Sequence, residues 1–224
     1  MMVIICSQFT KRLIFLINKG IIQKNPENGV LAMYKLCKTE QSAARQRELE
    51  QCLVELMNIR RYEEISVSDF CIHAGIPRKA FYRYFSSKDG ALFALLDHTM
   101  LDYDMYRSSV DFNGDNVLQK DMESFFLFWK SQKPLLDALE HSGLSGVLME
   151  RAIHNVSDGL NQKYVRYDEN PNMRDHVLRF ALCGLMIMMV NWHHDGFRES
   201  VQEMTRIALR LVSEPLVPAV SEWF

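Results

Sequence analysis

The chain has 224 residues, 48% hydrophobic and 24% charged, with a formal net charge of -2. That length supplies one or two domains with a real apolar core, and the composition is that of an ordinary globular protein rather than a disordered one. So small a net charge excludes nucleic-acid binding through overall charge and requires a local basic patch for it.

Residues 1–32 are apolar but basic, with Lys11, Arg12, Lys19 and Lys24 against Glu27. Lys11 and Arg12 cut the apolar run into pieces too short to span a bilayer, and the charge order does not suit a signal peptide. This leader is expected to be sequence upstream of a translation start at Met33; the competing reading is a membrane-surface or DNA-contacting arm. Cys6, Cys37, Cys52, Cys71 and Cys183 are scattered and form no C-x-x-C pair. Neither a zinc site nor a disulfide framework is indicated, and reduced thiols in a cytoplasm are expected.

From Ala43 the pattern is helical, with Leu49, Leu53 and Leu56 on one stripe and an end near Arg60-Arg61-Tyr62. Ser66 and Asp69 form a capping-box pattern that opens a second helix with Val67, Phe70 and Cys71 on its inner face. Gly75 ends it, and Pro77 suits the first turn of a third helix expected to run to about Phe85. Ser87 is the expected cap of a fourth helix, which carries Leu92, Leu95, Leu96, Thr99 and Tyr103 on one side.

Further helices are expected over 117–130, from Lys133 to about His141, from Ser145 to Lys163, from Met173 to His194 and from Ser200 to Ser213. Asp168–Asn172 reads as a loop, and Pro215 and Pro218 mark a loose tail. Met186–Val190 is apolar all round. A helix of that kind is buried on all sides, which favours a subunit interface built with Val201, Met204, Ile207, Ala208 and Leu211. Phe125, Phe128, Trp129, Met149 and Met186 are candidates for an apolar ligand pocket, against the plainer reading that they are core.

The stretch HAGIPRKAFYRYFSSKDG carries the functional signal. Two short helices joined by Ala74-Gly75-Ile76-Pro77 make a helix-turn-helix pattern. Phe81 and Phe85 face inward, while Arg78, Lys79, Tyr82 and Arg83 face out. Arginine and lysine can donate to the guanine edge in the major groove of double-stranded DNA. Tyr82 and Tyr84 suit phosphate oxygens, and Lys88 lies where another phosphate could be held.

Residues 45–92, including Y-E-E-I-S-V-S-D-F-C-I-H-A-G-I-P-R-K-A-F-Y-R-Y-F-S-S-K-D-G-A-L, resemble the N-terminal domain of the tetracycline-repressor (TetR) family of transcriptional regulators. The resemblance implies an all-α subunit: a helix-turn-helix domain at 43–90 and a ligand-binding and dimerisation domain at 91–224. It implies a homodimer through about 173–194 and 200–213, and an effector pocket. It also implies that Ser66 and Val67 begin a helix touching the DNA backbone. Pro77, Arg78, Lys79 and Arg83 then read bases, and Tyr82, Tyr84 and Lys88 hold phosphates. Lys79 stands where the family often has glycine, and Tyr84 where it often has histidine.

No catalytic constellation is present. Ser142-Gly143-Leu144-Ser145-Gly146 lacks the G-x-S-x-G elbow, and no phosphate-binding glycine loop occurs. Adjacent His193 and His194 point about 100° apart on a helix, which disfavours a shared metal. The expectation is a non-enzymatic, cofactor-free, metal-free regulator, most simply a repressor released from a palindromic operator by an apolar or amphipathic effector. The alternative is a protein-interaction coactivator on the same fold.

Overall fold

The computed structural model describes residues 33–111, 116–159 and 171–213, with backbone only for residues 154–159, 171–175, 177, 178 and 213. The leader at 1–32, the greater part of the 168–172 loop and the tail beyond 213 lie outside the described residues. Among the described residues the chain forms nine α-helices. They are α1 Glu40–Ile59, α2 Val67–His73, α3 Arg78–Phe81, α4 Lys88–Ser109, α5 Val117–Ser131, α6 Lys133–His141, α7 Ser145–Gly159, α8 Pro171–His194 and α9 Val201–Ser213. Tyr62–Glu64 adds a 3-10 turn, and the one β feature among the described residues is an isolated bridge between Tyr34 and Phe85.

Two compact units share these elements. The first holds described residues 33–99 and 137–159; the second holds 100–111, 116–136 and 171–213. In the first unit α1 starts at Glu40 rather than Ala43. Thr39 caps it, its hydroxyl accepting from the Ser42 amide at 3.3 Å. α1 packs on α2, and α2 on α3. Leu49, Leu53, Met57, Phe70, Phe81 and Phe85 form the buried centre. Phe70 meets Phe81 edge-on at 5.1 Å, and Phe81 lies 5.3 Å from Phe85. Removing such a ring costs about 3–5 kcal/mol, so these contacts set the angle of α3. Ser142 also serves this unit: its hydroxyl accepts from the Tyr62 amide at 3.0 Å.

In the second unit α9 packs on α5, and Arg107 of α4 forms a double hydrogen bond with Asp121 of α5. α8 is closed by two residues in the left-handed region, Gly196 at φ 73° and Phe197 at φ 56°. Phe197 tolerates this because its ring packs edge-on against Trp192 at 4.6 Å. Val201, Met204 and Ala208 correct the interface expectation. They are buried within the chain, on the inward side of an amphipathic α9. Met186 and Met189 are buried too, so part of the all-round apolar stretch of α8 is explained inside one subunit. Left outward are Phe180, Ile187, Leu211 and Val212.

Candidate nucleic-acid interface

The interface is built around a stop and a restart. Ser66 and Asp69 form the capping box expected from their spacing: the Asp69 amide donates to Ser66 Oγ at 3.1 Å, and the Ser66 amide to Asp69 Oδ2 at 2.9 Å. The Ser66 hydroxyl, which donates to Asp69 Oδ2 at 2.5 Å, and then the Ser66 amide hold the Asp69 carboxyl below its ordinary range. α2 then ends at Gly75, whose φ of 62° needs a residue without a side chain. A Cβ there would meet nothing within 4 Å, so backbone conformation rather than space demands glycine. The Ile76 amide returns to the Cys71 carbonyl at 3.0 Å and closes the elbow. Pro77 stands at the cap of α3 with φ -71°, already set for the helix that follows.

α3 is shorter than expected. It has four α-helical residues and stops at Phe81, not Phe85. Beyond it the amides of Arg83 and Tyr84 bond to carbonyls three residues back, at 3.2 and 2.9 Å. The Phe85 amide bonds the Phe81 carbonyl at 3.1 Å, and the Tyr84 carbonyl accepts from the Lys35 amide at 2.9 Å.

Arg78, Lys79, Tyr82 and Arg83 are all exposed, as are Ser66 and Pro77, while Val67 is half-buried. Among the described residues Arg78, Lys79 and Arg83 have no hydrogen bond or ion pair; the guanidinium of Arg83 lies 6.0 Å from the Tyr84 ring centre. Uncommitted cations beside one short helix can meet an anion without first breaking an internal pair.

Tyr84 and Lys88 sit differently. Tyr84 is 9% exposed. Lys88 turns inward: its ammonium donates to the carbonyls of Tyr62 and Ile65, both at 2.6 Å, and lies 4.1 Å from the Tyr62 ring centre. Burial pushes its pKa down. The lysine joins the start of α4 to the turn before α2, and two of its three donors are used in doing so.

A cleft of about 630 Å³ opens between the first turns of α1 and the end of the α3 region, with Arg45, Glu48, Arg83 and Tyr84 among its lining residues. Arg45, which the sequence reading does not single out, pairs with Glu48 at 2.6 Å. Its place on the polar side of α1 was the available signal.

The ligand candidates divide between the units. Phe125, Phe128, Trp129 and Met186 are buried in the second unit; Met149, half-buried on α7, belongs to the first. Phe125, Phe128 and Trp129 pack on one another at 5.5–6.3 Å from Trp129, and Tyr103 joins Phe125 and Phe128. Trp129 Nε1 is buried without a hydrogen-bond partner. No group of three His, Cys, Asp or Glu able to hold a metal occurs among the described residues, and no described helix is long and apolar enough to cross a membrane.

The fold and this site define an all-α helix-turn-helix protein. No family model matches the chain. It is 27% identical over 114 residues to the HTH-type transcriptional regulator EthR of Mycolicibacterium smegmatis, covering 49% of this chain and 51% of that protein. It is 28% identical over 117 residues to EthR of Mycobacterium tuberculosis, covering 50% and 52%. The chain therefore spans about half the length of the relatives it matches. Among solved structures it superposes on the fatty acid degradation regulator FadR of Bacillus halodurans with a TM-score of 0.53 and 16% identity, over 77% of this chain and 96% of that one. A TetR-family transcriptional regulator of Streptomyces coelicolor matches at TM-score 0.49 and 22% identity, over 74% and 78%. The chain shares the all-α helix-turn-helix fold of the FadR structure.

Proposed function

We propose that the chain is a cytoplasmic, non-enzymatic transcriptional regulator that binds double-stranded DNA as a homodimer and acts as a repressor. The observation that carries the reading is the set of exposed, unpaired cations Arg78, Lys79 and Arg83 beside a rigid glycine elbow. A short helix of this kind fits a major groove, and its arginine or lysine ends match the O6 and N7 edge of guanine. The similarity to two proteins named as HTH-type transcriptional regulators supports the same reading.

In this proposal Arg78, Lys79 and Arg83 face bases, with Pro77 at their edge. Ser66, Val67 and Tyr82 lie against the sugar-phosphate backbone. Tyr84 and Lys88 act by positioning, since the first is buried and the second is engaged with two carbonyls. An apolar or amphipathic effector acts through the aromatic-rich second unit, where the buried, unpartnered Trp129 Nε1 would favour a ligand that carries an acceptor. Effector binding shifts α4, which contributes residues to both units, and lowers DNA affinity.

Selection of bound duplexes from a random pool, at a stated salt concentration, tests the proposal. The expected result is a palindromic consensus with half-sites spaced by whole turns of DNA. A pool that stays random through repeated rounds would sink it and favour the coactivator reading.

A further inference from the structure

We propose that Met33–Lys35 is a strap that positions the DNA-reading end of α3, with Tyr34 as its anchor; this rests on the DNA-binding reading above. α3 has four α-helical residues, too few to hold themselves in place. The turns that follow must be held from outside, and the strap is what holds them. The Lys35 amide donates to the Tyr84 carbonyl at 2.9 Å. The Ser86 amide and hydroxyl both donate to the Met33 carbonyl, at 3.0 and 2.7 Å. Residues 84–86 thus gain a strand-like partner distant in sequence.

Two further features fit this purpose. Gly90 lies in the first turn of α4, where alanine would ordinarily serve a helix better. A methyl group there would collide with the Met33 carbonyl oxygen, so the missing side chain is the space the strap occupies. Tyr34 then fixes the strap to the rest of its unit. Its hydroxyl donates to Asp97 Oδ2 at 2.7 Å, and its ring meets His98 edge-on at 5.8 Å. Asp97 is itself gripped by Arg151 of α7, whose Nε donates to Oδ1 at 2.8 Å while its second nitrogen donates to Oδ2. Burial and the Asp97 carboxylate raise the Tyr34 pKa, so the phenol remains a donor.

The strap holds the chain immediately after Tyr82 and Arg83, and so sets where those side chains point. Base reading depends on that aim, whereas attraction to phosphate depends mainly on charge. Loosening the strap should therefore reduce selectivity more than general affinity.

The test uses the full chain and two variants, Gly90→Ala and Tyr34→Phe. The second keeps the ring and backbone pairing, so it remains informative should the first fail to fold. The probes are the duplex enriched from the random pool and a random-sequence duplex of equal length, together with hydrogen exchange of the free protein. Exchange at the Lys35 and Ser86 amides should be about tenfold faster, because their bonds to Tyr84 and Met33 open more often. Preference for the enriched duplex should fall about tenfold, with random-duplex affinity within about twofold of wild type. Unchanged exchange in both variants would overturn the strap, because the Lys35 and Ser86 bonds would then not depend on Tyr34 or on the space at Gly90. Faster exchange with equal losses on both duplexes, or with preference intact, would reduce the segment to a structural support. A wild-type chain that enriches no duplex would instead overturn the DNA-binding reading, and the positioning role with it.

Discussion

Lys88 and Arg78 show how cationic side chains from one short segment can serve two purposes. Both are cations within the helix-turn-helix segment, and both look alike in the sequence. Arg78 has no ion pair among the described residues and is exposed, whereas Lys88 bonds two main-chain carbonyls. Arg78→Ala should therefore weaken binding to the enriched duplex by about 1–3 kcal/mol and spare the random duplex, as measured by titration at constant salt. Equal losses on both would remove Arg78 from base reading. Lys88→Ala should lower folding stability by about 2 kcal/mol in a denaturant titration, because two carbonyls lose a charged donor. Unchanged stability with reduced affinity for all duplexes would return Lys88 to the phosphate-binding role suggested by the family resemblance.

The elements repeat the theme at a larger scale. Ser66, Asp69, Gly75 and Ser87 were readable as punctuation because capping and positive φ are local requirements: the four sit within a few residues of the groups they satisfy. The end of α3 was not readable, since the turns beyond it pair with Lys35, far back along the chain. Nothing in the periodicity of residues 33–39 announces that partner. Two glycines separate conformation from space. Gly75→Ala should cost about 1 kcal/mol, because its φ of 62° resists a side chain although the site is open. Gly146→Ala, equally open and inside α7 with an ordinary φ, should instead gain about 0.4–1 kcal/mol. Matching signs for the two in denaturant titrations would contradict this account of the elbow.

At the scale of the whole molecule, the question is which apolar surface remains to bury. Val201, Met204 and Ala208 are already used inside the second unit, whereas Phe180 is 73% exposed and Ile187 45%. These two lie seven residues apart on α8, hence on one side of it. A second copy of the chain is the proposed occupant of that side. Wild type should scatter light as a species of twice the chain mass, and Phe180→Glu should shift it to the single chain. Operator affinity should fall with it, because a lone subunit meets one half-site. A dimer that survives Phe180→Glu together with Ile187→Glu would place the interface elsewhere.

Sequence alone was enough for the helical class, the elbow, the family resemblance and the outward cations, because each follows from spacing within a few residues. Tertiary structure alone decided which cations remain available, which apolar residues of α8 and α9 are spent inside the subunit, and where α3 stops. Those outcomes depend on partners brought together across long stretches of chain. Burial and pairing belong to the assembled neighbourhood, and no residue's own neighbours in sequence specify it.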